Sequence, residues 1–137
     1  MSWSRVRSVR LIKTIDSLGK CGAKFTVQSV PGCFELPFAT KSLLLAANGK
    51  YHAAISIGVL IKGETMHFEY ISSATTDALM RVGLDLCVPV IFGVLTCLDA
   101  DQANERCGLG SSEKKHNHGI DWGFAAVEMA RLSSSSG

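Results

Sequence analysis

A three-layer α/β/α sandwich, with helices on both faces of a mainly parallel sheet, is the fold this sequence predicts. Three observations carry the prediction. Residues 53–61 and 88–95 are nearly continuous apolar runs, the pattern of strands covered on both faces. Stretches with helical spacing and cap signals alternate with those runs, as in strand–helix–strand units. No linker or internal repeat divides the 137 residues, so the whole chain, 1–137, is expected to form one domain.

Over residues 4–18, Val6, Val9, Ile12 and Ile15 recur at steps of three with arginines between them. A helix is expected there, ending near Gly19 or Gly22. The β-rich run 25–30 stops at Pro31-Gly32, a turn signal, and reads as a strand. Residues 36–47 are rich in Ala and Leu and reach Asn48-Gly49, a helix with its stop. The strand 53–61 leads through Lys62-Gly63-Glu64 to Thr65, a candidate N-cap for a helix that buries Ile71, Ala74, Ala78 and Val82. After the strand 88–95, Asp99 and Gln102 stand at capping-box spacing, and Gly108 supplies the stop of a short helix. A polar loop, 110–119, precedes a last amphipathic helix carrying Trp122, Ala125, Ala126, Met129 and Leu132. The low-complexity tail 133–137 is expected to fray.

A doubly wound sheet normally opens with a strand, and none reads ahead of the first helix. In a flavodoxin-like strand order the first strand lies between the second and the third. A sheet lacking it has a gap inside rather than a missing edge.

Composition bounds the function. The hydrophobic content of 47% is enough for a buried core. No apolar run approaches the roughly 20 residues that span a bilayer, so a membrane partner is not expected. The net charge of +2 hides a basic head: residues 1–24 carry six Lys or Arg against the single acid Asp16. Nothing else resembles a nucleic-acid motif, so no nucleic-acid partner is expected. A cytoplasmic protein is the expectation, with a mitochondrial one as the alternative if the Arg- and Ser-rich start is a presequence. Five cysteines with no CxxC pair argue for reduced thiols rather than a disulfide framework or a zinc ribbon.

Ligands of open parallel sheets bind beyond the C-terminal ends of the strands, which directs attention to 31–35, 62–67 and 92–96. The Gly63-Glu64-Thr65 helix start offers free backbone N–H groups to a phosphate or carboxylate, and Arg106 could add a forked donor. His67, in the first turn of that helix, stands where an imidazole could shuttle protons beside the anion, or it could simply pack. Glu35 sits among Phe34, Leu36 and Pro37, a carboxylate in apolar company that needs a partner unless the turn exposes it. Cys33 reads as a small buried side chain, since no histidine is placed by sequence to activate it. His116, His118 and Asp121 invite a metal reading, but no third soft ligand lies at a diagnostic spacing; surface polar residues are the ordinary explanation and no metal is expected.

Four segments then form a recognisable set. Val30-Pro31-Gly32-Cys33-Phe34-Glu35-Leu36-Pro37, the run from Gly58 through Lys62-Gly63-Glu64-Thr65-Met66-His67 to Tyr70, the run from Val88-Pro89 to Thr96, and Glu105-Arg106-Cys107-Gly108 resemble lumazine synthase in order and approximate spacing. The match runs from about Phe25 to Leu132. Residues 116–123 are similar to the fungal branch, which the resemblance implies is a homopentamer with sites at subunit interfaces.

The resemblance implies a transferase of riboflavin biosynthesis. It would condense 5-amino-6-(D-ribitylamino)uracil with 3,4-dihydroxy-2-butanone 4-phosphate to 6,7-dimethyl-8-ribityllumazine, without metal or organic cofactor. By the same resemblance Cys33, Phe34 and Glu35 hold the pyrimidine and ribityl chain, with Val59, Leu60 and Ile61 lining that pocket. Glu64 and Thr65 meet the butanone phosphate, His67 transfers protons, and Phe92 and Arg106 enter from the neighbouring subunit. His118 matches the position of a lysine found in many bacterial members and is assigned to the phosphate. Trp3 is the candidate for the aromatic residue that stacks on the pyrimidine, and the loop from first helix to second strand is shorter than the family's. A different class of function open to the same residues is an impaired binding or assembly subunit that keeps the ribityl-pyrimidine or flavin pocket. Ligand binding without turnover would distinguish it.

Overall fold

The computed structural model describes residues 14–110 and 116–135. Helix α1 covers 14–20. It is followed by a 3-10 turn (Cys33–Glu35), α2 (Leu36–Ala46), β1 (Ala54–Ile61), α3 (His67–Leu86), β2 (Val90–Cys97), α4 (Ala100–Arg106) and α5 (His118–Ser135). Among the described residues no helix is long and apolar enough to cross a membrane.

The two apolar runs form the sheet. Strands β1 and β2 pair in parallel, with Ala54 opposite Val90 and Ile61 opposite Cys97. The second strand begins two residues later than its apolar run, because Pro89 has no N–H; its carbonyl accepts from Ala54 N at 2.9 Å. Alternation along each strand sorts side chains to two faces. Ser56, Gly58, Leu60, Val90 and Val94 face α2 and α3, where Leu36, Leu79 and Cys33 complete a buried cluster. Val59, Ile61, Leu95 and Cys97 face the other way, against Ala103 and Cys107 at α4. Trp122 of α5 covers Gly93 on that second face. The result is the three-layer α/β/α, flavodoxin-like arrangement.

The expected strand over 25–30 does not form: the segment has no sheet partner among the described residues, and Phe25 and Val27 are 46% and 48% exposed. The strand order explains this. In a flavodoxin-like sheet its only neighbour would be the first strand, and no such strand occurs among the described residues. An extended segment without a ladder leaves its backbone groups to water.

The same absence opens one edge of β1. Ala54 N donates to Pro89 O and Lys62 N to Cys97 O, both at 2.9 Å, so the even-numbered residues direct their backbone toward β2. Ile55, Ile57, Val59 and Ile61 therefore present N–H and C=O to the opposite side. Among the described residues, the group that meets them there is the Cys33 thiol, which donates weakly to Val59 O at 3.6 Å.

The helices follow their signals with shifts of face. Helix α2 stops at Asn48 and Gly49, whose φ angles of 46° and 82° lie in the left-handed region. Helix α3 buries Thr75, Leu79 and Val82, with Ile71 and Ala78 half-buried and the expected Ala74 exposed. The buried stripe thus passes one residue beside the one read from the alanines. Asp99 Oδ1 accepts from Gln102 N at 2.8 Å while Gln102 Oε1 accepts from Leu98 N at 2.9 Å, a reciprocal cap of α4. Gly108, at φ 70°, ends that helix as expected.

Of the expected first-helix stripe only Ile15 is described, half-buried; Val6, Val9 and Ile12 lie outside the described residues. The face that α1 buries is Thr14 and Ser17, each 2% exposed. A Cβ on Gly123 would stand 2.6 Å from that of Ser17, so the glycine lets α5 approach α1 closely. Met129 and Leu132, expected in the core, are 40% and 59% exposed and line a shallow apolar groove of about 470 Å³ with Leu79, Met80 and Ile91. The serine tail, expected to fray, is helical as far as Ser135, and Ser134 and Ser135 hydroxyls donate to the carbonyls of Ala130 and Arg131. All five cysteines are unbridged.

Candidate active site

The C-terminal end of β1 gathers most of the residues singled out in the sequence. Leu60 and Ile61 end the strand on opposite faces, and Lys62–Met66 cross over to α3. This crossover is held from both sides. Lys62 Nζ lies 2.5 Å from Glu69 Oε1 in the first turn of α3, and the bond to the Lys62 ammonium holds the Glu69 carboxyl below its ordinary value. Thr65 Oγ1 accepts from His67 N at 3.4 Å. Met66, rather than the expected Thr65, takes the N-cap position of α3, and no side chain caps it. The first-turn N–H groups are only partly taken up, His67 N by Thr65 Oγ1 and that of Glu69 by its own carboxylate, and Glu64, Thr65 and His67 beside them are exposed.

The 3-10 turn is seated on the same strand. Cys33 is buried at 9% exposure, its Sγ within 2.5 Å of where a Cβ on Gly58 would stand. No side chain at position 58 would leave room for it. Thr75 Oγ1 donates to Cys33 O at 3.4 Å, which ties the turn to α3 as well. With Cys33 anchored, Phe34 (58% exposed) and Glu35 project outward. Glu35 is exposed rather than buried in apolar company, its Oε2 only 2.9 Å from where a Cβ on Gly32 would stand.

The arrangement thus brings together 33–35, the end of β1, and the start of α3. It does not bring in Arg106, which is exposed at the last turn of α4 and makes no hydrogen bond or ion pair among the described residues. Phe92 is 39% exposed in the first half of β2, opposite Ser56, and not at the strand's C-terminal end as expected. The strand is longer than its apolar run at that end because Thr96 and Cys97 continue the ladder. His118 opens α5, its Nδ1 3.8 Å from Asp121 Oδ2. Trp3 lies outside the described residues.

One feature has no sequence reading behind it: the Lys62–Glu69 ion pair. Its partners are seven apart across a loop and a helix start, and neither helical nor strand periodicity links them. The nearest signal is the pair of opposite charges on either side of the Gly63-Glu64-Thr65 element.

Chemically, a helix start with its positive dipole end next to an exposed imidazole and a hydroxyl suits an anionic substrate that must gain and lose protons. The adjacent Phe34 ring and Glu35 carboxylate suit a flat polar ring.

Comparison with known proteins gives the family. The model of the family described as 6,7-dimethyl-8-ribityllumazine synthase matches residues 3–134. The 6,7-dimethyl-8-ribityllumazine synthase of Schizosaccharomyces pombe is 57% identical over 103 residues, 75% of this chain and 62% of the relative. That of Pyricularia oryzae is 46% identical over 156 residues, 87% of this chain and 77% of the relative. The chain therefore spans a little under two thirds of the first of these relatives. The second alignment is longer than the 137-residue chain itself, so that relative carries stretches within the aligned span that this chain lacks. With the family model covering nearly the whole sequence, and the site elements assembled at the expected end of the sheet, this chain belongs to the 6,7-dimethyl-8-ribityllumazine synthase family.

Proposed function

We propose that this chain catalyses the reaction for which its relatives are named, joining 5-amino-6-(D-ribitylamino)uracil to 3,4-dihydroxy-2-butanone 4-phosphate with loss of water and phosphate. The observation that carries the reading is the start of α3, where Met66 at the N-cap offers no side-chain acceptor, with Thr65 and His67 exposed beside it and the Cys33–Glu35 turn packed on the adjoining strand.

In this reading the ring and ribityl chain of the pyrimidine lie against Phe34, Glu35 and the 59–61 strand end. The butanone phosphate meets Glu64, Thr65 and the backbone N–H groups of the helix start, where the dipole favours an anion. The pyrimidine amine attacks the ketone carbon, and His67 protonates the departing hydroxyl as water leaves and the imine forms. The same imidazole then accepts a proton as phosphate is eliminated, before ring closure expels further water. Arg106, exposed and with no side-chain bond among the described residues, reaches the phosphate of a neighbouring subunit's site, and Phe92 borders that site. A homopentamer is the assembly proposed, on the resemblance of residues 116–123 to the fungal branch, and in it Arg106 would serve a neighbouring chain's site.

Lumazine formation by the purified chain, followed by absorbance or fluorescence, tests the reading. Turnover above that of the mixed substrates alone is expected, with His67→Ala lowering kcat by about a hundredfold or more. Arg106→Ala should raise KM for the phosphorylated substrate more than it lowers kcat. No turnover at high protein concentration would sink the proposal.

A further inference from the structure

We propose that His116, His118 and Asp121 form a surface site for a borderline divalent cation, zinc above all. One ligand atom from each residue lies within 4.8 Å of the others. His116 Nε2 is 2.6 Å and His118 Nδ1 3.8 Å from the same Asp121 oxygen, and the two imidazoles stand edge to face with centroids 5.4 Å apart. Ligands of a tetrahedral zinc with bonds of about 2.0–2.1 Å lie about 3.3 Å from one another, midway between those two distances.

The convergence is built by the backbone rather than by chance rotamers. Asn117, between the two histidines, is 5% exposed; its Nδ2 donates to Cys107 O at 2.7 Å and its Oδ1 accepts from Gly119 N at 2.8 Å. Asn117 also forms an isolated antiparallel bridge with Cys107. With Asn117 turned inward on an extended bridge, its neighbours at 116 and 118 both turn outward. His118 then opens α5, and Asp121 follows it at helical i,i+3 spacing, on the same face. Two periodicities meeting at one residue bring three ligands together, which the sequence spacing by itself did not reveal.

Two imidazoles and a carboxylate suit zinc, nickel or cobalt rather than magnesium or calcium, which prefer all-oxygen sets. The ligand side chains are 39% to 57% exposed, so water fills the remaining positions. The positive end of the α5 dipole opposes a cation there, while the Asp121 charge offsets it. Moderate affinity follows, with Kd in the micromolar range.

Titration of the metal-free chain with zinc chloride by calorimetry, and with cobalt chloride by visible absorption, tests the site. One ion per chain is expected, with cobalt bands in the visible and no intense near-ultraviolet thiolate band. Affinity should fall at least about tenfold in both His116→Ala and Asp121→Asn. Both residues are exposed, and an unchanged circular dichroism spectrum shows that these variants stay folded. Affinity unchanged by both substitutions, a thiolate band that puts the ion on cysteines, or no binding at 100-fold above micromolar zinc would each overturn the proposal.

Discussion

The two edges of β1 differ completely. Toward β2 the strand is in register over eight residues, from Ala54 to Ile61. Toward the other side, the backbone of Ile55, Ile57, Val59 and Ile61 meets only the Cys33 thiol among the described residues. The segments beyond the two edges differ in the same way. Beyond β2, the chain folds into capped helices around Ala103, Cys97 and Cys107, whereas 23–30 passes without secondary structure and leaves Phe25 and Val27 half in water. Both segments are apolar enough to be strands or core. Pattern alone therefore does not make a strand; a neighbour with a free ladder does.

The largest test of this contrast is mutational. Leu79, 2% exposed between α3 and the sheet, should cost about 2–5 kcal/mol on truncation to Ala, since the surrounding helices cannot collapse into the hole. Phe25→Ala should cost under about 0.5 kcal/mol, despite removing a larger side chain, because Phe25 has little contact to lose. Urea unfolding of both variants reads the difference. A large loss for Phe25→Ala would mean that 25–30 is packed in solution and that the contrast between the edges is wrong.

Hydrogen exchange tests the edges amide by amide. Gly58 and Leu60 direct their N–H groups into the ladder with β2, and Ile57 and Val59 direct theirs away. Protection should alternate along the strand, with the inward pair slower by more than about a hundredfold. Uniform protection would mean that some strand, from a second copy or from elsewhere, occupies the open edge.

This contrast also explains what the sequence made legible. The two central strands could be read because burial on both faces makes each an uninterrupted apolar run, and α4 because Asp99, Gln102 and Gly108 are local signals that act over three or four residues. The strand at 25–30 was misread because pairing is not local: nothing within those residues says whether a neighbour exists. The face of α3 was misplaced by one residue, since Thr75 is as buried as Leu79 only because its hydroxyl finds the Cys33 carbonyl. At the site, Cys33 was legible as a small buried group, yet its reason, the absence of a side chain on Gly58, lies 25 residues away. For Glu35 the sequence left burial with a partner and exposure in a turn both open, and the turn exposes it, because apolar neighbours in sequence are not apolar neighbours in space.

Smaller effects belong to the well-ordered side. Asp99→Ala removes the side-chain acceptor of Gln102 N and should destabilise the protein by about 1 kcal/mol, the usual worth of an N-cap. Asp99→Asn or Asp99→Ser should recover most of it in the same thermal melts. Recovery by neither would mean that α4 is held by the packing of Ala103 rather than by its cap.

The smallest predicted effect is the one nearest the chemistry. The Lys62 ammonium lowers the folded-state pKa of Glu69 below its ordinary 4.5, so the pair contributes stability above that value and loses it as pH falls through the lowered one. The side chains are 46% and 32% exposed, so solvent and salt screen most of the attraction. Glu69→Gln should therefore change the melting temperature slightly at pH 7, less at pH 2, and less in 1 M salt than in dilute buffer. A larger consequence is expected for catalysis than for stability, because the pair fixes the loop that presents Thr65 and His67. If Glu69→Gln alters the melting temperature equally at both pH values, the ion pair is not what stabilises this loop. If it also leaves KM for the phosphorylated substrate unchanged, the start of α3 is positioned by the strand and helix that flank it.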